Sequence, residues 1–258
     1  MGEAMLVSAI TIACIMVCTW AVSVAIKNAS IVDIIWGFGF AVNAIVLAIV
    51  VDGNSSRQRL VAVLVGVWGF RLAGYLAKRN IGHGEDWRYK AMRKKKGAAF
   101  PLVSLVTVFG LQGVLMFIVS LPVMFSNADS TPGIGPIAVM GVLAWVVGFV
   151  FESVGDAQLA RFKKDPANAG KVMNKGLWSL TRHPNYFGDS LMWWGVWIIA
   201  AETGSGLLSI VGPIVMTFFL LKVSGVPMLE RSLSKRREGW DDYVATTSGF
   251  IPRPPKRL

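Results

Sequence analysis

The chain has 258 residues, 54% of them hydrophobic and 16% charged, with ten Trp and a net charge of +11. A mean hydropathy of +0.55 excludes an ordinary water-soluble globule and describes a chain whose solvent is lipid. The basic surplus lies in no zinc-type or aromatic-interleaved module, so a nucleic-acid role has no support.

A bilayer core of about 30 Å takes roughly 20 apolar residues per helix. Runs of this kind lie at about 4–26, 31–51, 59–77, 99–125, 134–158, 188–202 and 206–227. They predict an all-α, polytopic membrane helix bundle of about seven transmembrane helices, forming one membrane domain over 1–258 with no internal repeat. The first run lacks a basic n-region and is too long for a signal-peptide core, so it is expected to stay in the chain. Cys14 and Cys18, four apart on one face of it, read as small packing residues. The run at 188–202 is short unless its helix begins near Tyr186. A re-entrant hairpin around ETGSG (202–206) would lower the count to five or six.

Charge sets the expected orientation. Of the 26 Lys and Arg, 8 lie between Lys78 and Lys96, 6 between Arg161 and Arg182, and 7 between Arg231 and Arg257, while 126–134 and 202–206 carry none. The positive-inside rule makes the three basic segments cytoplasmic, which puts the N-terminus outside and the C-terminus inside. The loop GHGEDWRYKAMRKKKG (82–97) mixes Trp, Tyr and cations. It suits an amphipathic segment on an anionic membrane surface, and also a lid over a cofactor, the surface reading being preferred. The tail WDDYVATTSGFIPRPPKRL reads as an extended cap beneath the bundle.

Ionisable groups inside a span cost at least about 2.5 kcal/mol, so each marks a candidate bundle-facing position. Asp33 opens the second run, Arg71 and Tyr75 close the third, Glu152 and Asp156 close the fifth, and Asp189 opens the sixth. Glu152 and Asp156, Arg71 and Tyr75, and Asn185 and Asp189 are each i and i+4, hence on shared helical faces. In the topology above all fall near cytoplasmic helix ends, where several polar stripes could converge on one cavity. Interfacial residues satisfying one another, or snorkelling to headgroups, would look the same one at a time.

The chain has no GxGxxG after a strand, no GxxxxGK[ST] and no HExxH. With His83 and His183 the only histidines, no metal site is expected. His183 suits either a ligand contact or a satisfied structural role.

One block is more specific. NKGLWSLTRHPNYFGDSLMWWGVW, with DIIWGFGF, RLAGYLAKRNIGHGEDWRY and LERSLSKRREGWDDYVATTSGFIP, resembles bacterial proteins of the DUF1295 group within the steroid 5-alpha-reductase-like superfamily, from about Asp33 to Pro252. That superfamily also holds sterol reductases and isoprenylcysteine carboxyl methyltransferases, and the methyltransferases share an RHP-Tyr-like block. The resemblance implies a bacterial inner-membrane, multi-pass protein whose C-terminal portion, about 134–258, is steroid 5-alpha-reductase-like. It implies a bundle that takes NADPH on the cytosolic side and an apolar substrate from the bilayer, with membrane lipids as surroundings.

The implied cofactor residues are Asn185, Tyr186 and Asp189, in an Asn-aromatic-Phe-Gly-acid block, with Asp156 and Lys163 seven apart and Glu152 where the reductases carry Asn. Arg182 and His183 precede the block, and Arg231, Lys235 and Tyr243 fall in the corresponding basic-aromatic stretch. A dinucleotide needs Arg or Lys for phosphate and Asp, Glu or Asn for ribose and amide, and both kinds are present. The carbonyl clamp of the steroid reductases, a Gln-Glu pair and a Tyr, is not reproduced: Asp33 and Trp36 stand in the second helix and Trp68 where the Tyr should be. Tyr75 is then the candidate proton donor, with Asp33 or Arg71 orienting it, although an aromatic-belt Tyr would look alike.

The expected activity is NADPH-dependent reduction of an activated carbon-carbon double bond in a steroid, isoprenoid or acyl substrate. The alternatives are a membrane methyltransferase using S-adenosylmethionine, and a non-enzymatic lipid-binding protein.

Overall fold

The computed structural model describes residues 1–223, 225–234 and 236–256. They form helices and turns: α1 Gly2–Ala25, α2 Ile31–Val50, α3 Ser55–Asn80, α4 Trp87–Lys96, α5 Phe100–Ser104, α6 Leu111–Val119, α7 Leu121–Ala128, α8 Pro136–Lys164, α9 Leu177–Leu180, α10 Pro184–Ala201, α11 Val211–Phe218, α12 Val226–Leu233 and α13 Trp240–Thr246. Among the described residues there is no strand, only an isolated bridge between Lys171 and Glu238. The expected all-α class holds.

Among the described residues, six helical segments are long and apolar enough to cross a membrane: Gly2–Ala25, Ile31–Val50, Ser55–Asn80, Trp87–Val119, Pro136–Lys164 and Ser205–Leu233. Their outward side chains are apolar, for example Ile10, Ile49, Val63, Leu143 and Phe218, as a lipid solvent allows. The sixth expected run, 188–202, lies in α10. That helix begins at Pro184 and spans 18 residues, but its polar first turns keep it out of the most apolar set. Its early start is favoured by Pro at N1, whose missing N–H would be unsatisfied there anyway.

The run at 99–125 is not one straight helix. A π-helical turn at Leu105–Gly110 separates α5 from α6, and Ser120 ends α6 two residues before Pro122, which cannot donate to a continuing helix. The run at 206–227 is likewise divided, into a 3-10 stretch Ser205–Ile210, α11 and a π turn Phe219–Val223. Cys14 and Cys18 are both exposed and free rather than packed inside, because the buried stripe of α1 runs through Ser8, Ile12, Met16 and Thr19 instead.

The chain divides into two compact units, one of Met1–Gly135 with Ala200–Gly212 and one of Pro136–Ile199 with Pro213–Leu258. In the first, Asn54 caps α3 by accepting from the N–H groups of Ser56 and Arg57, and a four-residue link folds α3 back on α2. Gly37 and Gly69 let the two helices touch: a Cβ on Gly37 would lie 2.6 Å from the Gly69 carbonyl oxygen. Small residues serve this purpose wherever helices associate in lipid, since close backbone approach maximises dispersion contact. α1 joins the pair through a buried hydrogen bond from Ser8 Oγ to Asn43 Oδ1 at 3.0 Å.

In the second unit α8 packs against α10 along a glycine seam. Gly141 meets Gly195, Gly148 meets Gly188, and Gly155 meets Pro184, so contacts recur every seven residues on α8, and after seven and then four residues on α10. This seam sets the acidic end of α8 beside the RHPNYFGD block.

Candidate functional site

The glycine seam ends where the polar residues begin. Glu152 and Asp156 are buried, at 3% and 4% exposure. The Glu152 backbone N–H lies 2.5 Å from where a Gly188 Cβ would be. One turn on, Asn185 donates through Nδ2 to Asp156 Oδ1 at 3.2 Å, and its own Oδ1 accepts from the Tyr186 N–H at 3.1 Å. The ring of Tyr186 stacks on His183, centroids 5.5 Å apart and planes within 7°.

His183 is fully buried. Its Nε2 donates to Glu230 Oε1 at 2.9 Å, and the same oxygen accepts from Arg182 Nε at 2.9 Å. Arg182 also donates through Nη1 to the Thr247 carbonyl at 2.7 Å. The tail residues 247–253 run beside the start of the block: Arg182 N–H donates to Ser248 O at 2.8 Å, Arg253 N–H to Leu180 O at 2.9 Å, and Thr181 Oγ1 to Phe250 O at 2.8 Å. The tail expected to be extended is instead helical over its first seven residues, α13; only the part from Thr247 on is non-helical, tied to the RHP segment by two main-chain hydrogen bonds and one from the Thr181 hydroxyl.

Below this network lies a partly open chamber of about 200 Å³. Its walls are Phe162, Trp178, Trp240 and Tyr243 with aliphatic side chains from α8 and α12, and its polar rim is Lys163, Lys171, Arg182 and Arg237 with Asp165. The walls are fixed by directed bonds. Trp178 Nε1 donates to the Gly155 carbonyl at 3.0 Å, and the Tyr243 hydroxyl donates to the Trp178 carbonyl at 2.6 Å. Burial pushes the Tyr243 phenol above its ordinary value, Arg182 opposing and Glu230 reinforcing, so it remains a protonated donor.

The loop after α8 folds over the rim. Asp165 caps its turn by accepting from Ala167 N–H, and Gly170 O accepts from Glu238 N–H at 3.1 Å. Gly176 adopts φ +60° with the Gln158 amide packed against its Cα, a place without room for a side chain. Gln158 Oε1 accepts from Leu177 N–H there at 3.0 Å. An open cleft of about 850 Å³ adjoins the chamber, sharing Phe162, Asp165 and Lys171 with it and adding Arg161, Lys175 and Glu238.

Of the residues singled out in the sequence, Lys163, Arg182 and Tyr243 line the chamber. Asp156 and Asn185 are bonded to one another, Glu152 is buried beside them, and His183 and Tyr186 stack. Asp189, half-buried, lies one turn along α10 from Asn185. Arg231 is exposed on α12 and does not line the chamber. Lys235 lies outside the described residues. Sequence reasoning missed Glu230, Lys171, Arg237, Trp178 and Trp240. Glu230 had a signal, a lone acid immediately before the basic stretch 231–237.

Asp33, Arg71 and Tyr75 belong to the first unit. Asp33 accepts from Tyr89 OH at 3.0 Å and from Arg88 Nη2 at 3.1 Å. Tyr75 is flanked by the guanidiniums of Arg71 and Arg79, 5.5 and 5.8 Å from its ring centroid. No cluster of His, Cys, Asp and Glu suited to a metal ion occurs among the described residues.

Comparison with known proteins supplies the family. The chain is 25% identical over 215 residues to an uncharacterized protein of Schizosaccharomyces pombe, covering 74% of this chain and 62% of that one. It is 34% identical over 113 residues to a protein of Ustilaginoidea virens named probable O-methyltransferase ustE, covering 43% of this chain and 38% of the relative. The chain thus spans less than two thirds of either relative's length. No solved structure matches it. The model of a family described as "Protein of unknown function (DUF1295)" matches residues 19–247, and the chain is a member of that family.

Proposed function

We propose that the protein is a membrane-embedded reductase that takes NADPH in the chamber and cleft of the second unit and saturates an activated carbon-carbon double bond of a lipid-like substrate. The charge of the chamber carries this reading: four cations and one acid surround aromatic walls. NADPH has a pyrophosphate and a 2′-phosphate, which Arg and Lys favour, and flat rings that indole and phenol faces can pack against. S-adenosylmethionine has no phosphate and carries a sulfonium, which the same cations would repel. The chamber is smaller than the roughly 300 to 1,000 Å³ of a complete ligand pocket, so it suits one end of a dinucleotide and the adjoining cleft the other.

In this reading Lys163, Lys171, Arg182 and Arg237 hold phosphate, and the Asp156–Asn185 pair presents a carboxylate and an amide to ribose or carboxamide groups. Glu230 orients Arg182 and His183 from behind. The bound cofactor supplies the hydride. One carbon of the substrate double bond receives that hydride and its neighbour a proton. Tyr75 is the proposed proton donor, with Arg71, 5.5 Å from its ring centroid, as its proposed positioning residue, since Asp33 bonds Arg88 and Tyr89 instead. In this reading the site faces the cytoplasmic side of a cell membrane with the N-terminus outside, a choice that the positive-inside rule supports through the basic segments.

A second reading has one observation in its favour, the O-methyltransferase name of the Ustilaginoidea virens relative. It would place S-adenosylmethionine in the same chamber and transfer its methyl group to an oxygen of a lipid-like acceptor. Thermal unfolding of the detergent-purified protein with NADPH, NADH and S-adenosylmethionine in parallel decides between them. A ligand at 100 times its Kd stabilises by about 2.7 kcal/mol. A shift with NADPH is expected; a shift with S-adenosylmethionine alone would replace the reductase by the methyltransferase.

A further inference from the structure

The geometry points to α4 as a docking face for anionic phospholipid headgroups, a reading independent of the proposed reductase activity. α4 carries six cations, and the fold divides them into two sets. Arg88 is paired with Asp33 at 3.1 Å and Asp86 at 2.8 Å, and Arg93 with Glu85 at 2.8 Å. These arginines, with the buried Tyr89, form the inward face. Lys90, Lys94, Lys95 and Lys96 are exposed, and among the described residues none has a carboxylate within ion-pair distance.

Trp87, Lys90, Ala91 and Lys94 recur at i, i+3, i+4 and i+7, a single outward stripe, and Trp87 is 70% exposed. An indole and ammonium groups on one face, with no acid among them, match the headgroup layer of a bilayer, where Trp settles and Lys meets phosphate.

The position of the helix identifies the occupant. α4 ends at Gly97 (φ +55°), and the chain continues through Gly97–Ala99 into α5 and the π-helical turn after it, where Leu102 and Val106 are each 70% exposed. Two apolar side chains at i and i+4, both bare, mark the face turned to hydrocarbon. Only six residues, broken at Gly97 (φ +55°), separate Lys96 from Leu102, so the cations lie beside the end of the apolar segment, where the headgroup layer meets the acyl core. The connection is held by Arg93, whose guanidinium lies 4.3 Å above the Phe100 ring. The lysines are thereby kept at the layer where phosphodiester charge is densest.

The full-length protein in nanodiscs tests this. Trp87 emission is taken as the difference between wild type and Trp87→Phe, with brominated phosphatidylglycerol or the same fraction of brominated phosphatidylcholine as quencher. Phosphatidylglycerol should quench that component more strongly, with roughly fivefold local enrichment for each lysine engaged. The excess should vanish in high salt and in the K90Q/K94Q/K95Q/K96Q variant, and survive in the corresponding arginine variant, which separates charge from folding. Equal quenching by the two lipids, or an excess that persists in high salt, would overturn the assignment. A Trp87 component untouched by either lipid would also overturn it, leaving an acidic protein segment as the occupant.

Discussion

Gly148 and Gly188 meet backbone to backbone: a Cβ on Gly148 would lie 2.6 Å from the Gly188 carbonyl oxygen and 2.8 Å from the Met192 N–H nitrogen. No rotamer relieves a clash with backbone, so α8 and α10 must separate to admit any side chain. Gly148→Val should therefore destabilise the second unit by about 3 kcal/mol or more, at the upper end of overpacking costs. It should also remove the register between Asp156 and Asn185. Gly66→Ala is the control, because nothing lies within 4 Å of its Cβ position. There the better helix propensity of Ala should leave stability equal or raise it by about 0.5–1 kcal/mol. Thermal unfolding of both variants in one detergent compares them; equal melting temperatures would refute the seam.

Arg57 is 1% exposed and holds the loops at the far end of α3. Its guanidinium donates to the carbonyls of Thr131 at 3.3 Å and Gly133 at 3.2 Å and to Glu202 at 3.4 Å, with Asp129 at 3.7 Å. Removing it takes a buried cation away from Asp129 and Glu202, which keep the Thr131 and Gly135 N–H donors, so Arg57→Met should cost about 3 kcal/mol. Arg57→Lys should recover little, since one ammonium cannot reproduce a fork directed at several acceptors. Full recovery by Lys would reduce the cluster to a point-charge effect.

How far the sequence foretold these features depends on their range. Local periodicity carried the helices, the early start of α10 and the shared face of Asn185 and Asp189. The meeting of Asp156 with Asn185 is one of the convergences that the polar helical faces allowed, but the spacings did not state which stripes would meet. The glycine seam was legible too, in the spacing of seven through Gly141, Gly148 and Gly155 and again through Gly188 and Gly195, but composition alone does not draw attention to it. The chamber was not legible. Its walls come from the loop after α8, from α12 and from α13, and no local pattern states that Trp178, Trp240 and Arg237 will face one another. Asp33 shows the same limit, since its partners Arg88 and Tyr89 lie 55 and 56 residues away.

Glu85 gives a pH dependence. Its side chain is 6% exposed and paired with Arg93, and it accepts from the Ala29 N–H at 2.8 Å. Burial alone would raise its pKa, but the hydrogen bonds from Arg93 and Ala29 outweigh it and hold the carboxyl below the ordinary 4.5. A carboxyl whose folded pKa is depressed contributes stability that is present above the unfolded value and lost as pH falls through the folded one. Wild type should thus be more stable than Glu85→Gln at pH 7, and the gap should narrow below about pH 4.5. Thermal unfolding across that range measures it, and a gap that is constant with pH would assign the difference to packing.

Lys171 and Arg237 discriminate between the two readings of the chamber. Both line it, yet neither is needed for the hydrogen bonds that hold Trp178 and Tyr243 in place. A charge-assisted hydrogen bond to phosphate is worth about 1.5–3 kcal/mol, so Lys171→Gln and Arg237→Gln should each weaken NADPH binding by roughly tenfold or more. The loss should shrink as salt rises, because screening weakens the wild-type contact first. For S-adenosylmethionine the sign reverses, since removing a cation near a sulfonium relieves repulsion. Titration of both ligands into the two variants at low and high salt reads these signs directly. Weaker NADPH binding with unchanged protein stability would support phosphate recognition, whereas unaffected NADPH with tightened S-adenosylmethionine would transfer the chamber to methyl transfer.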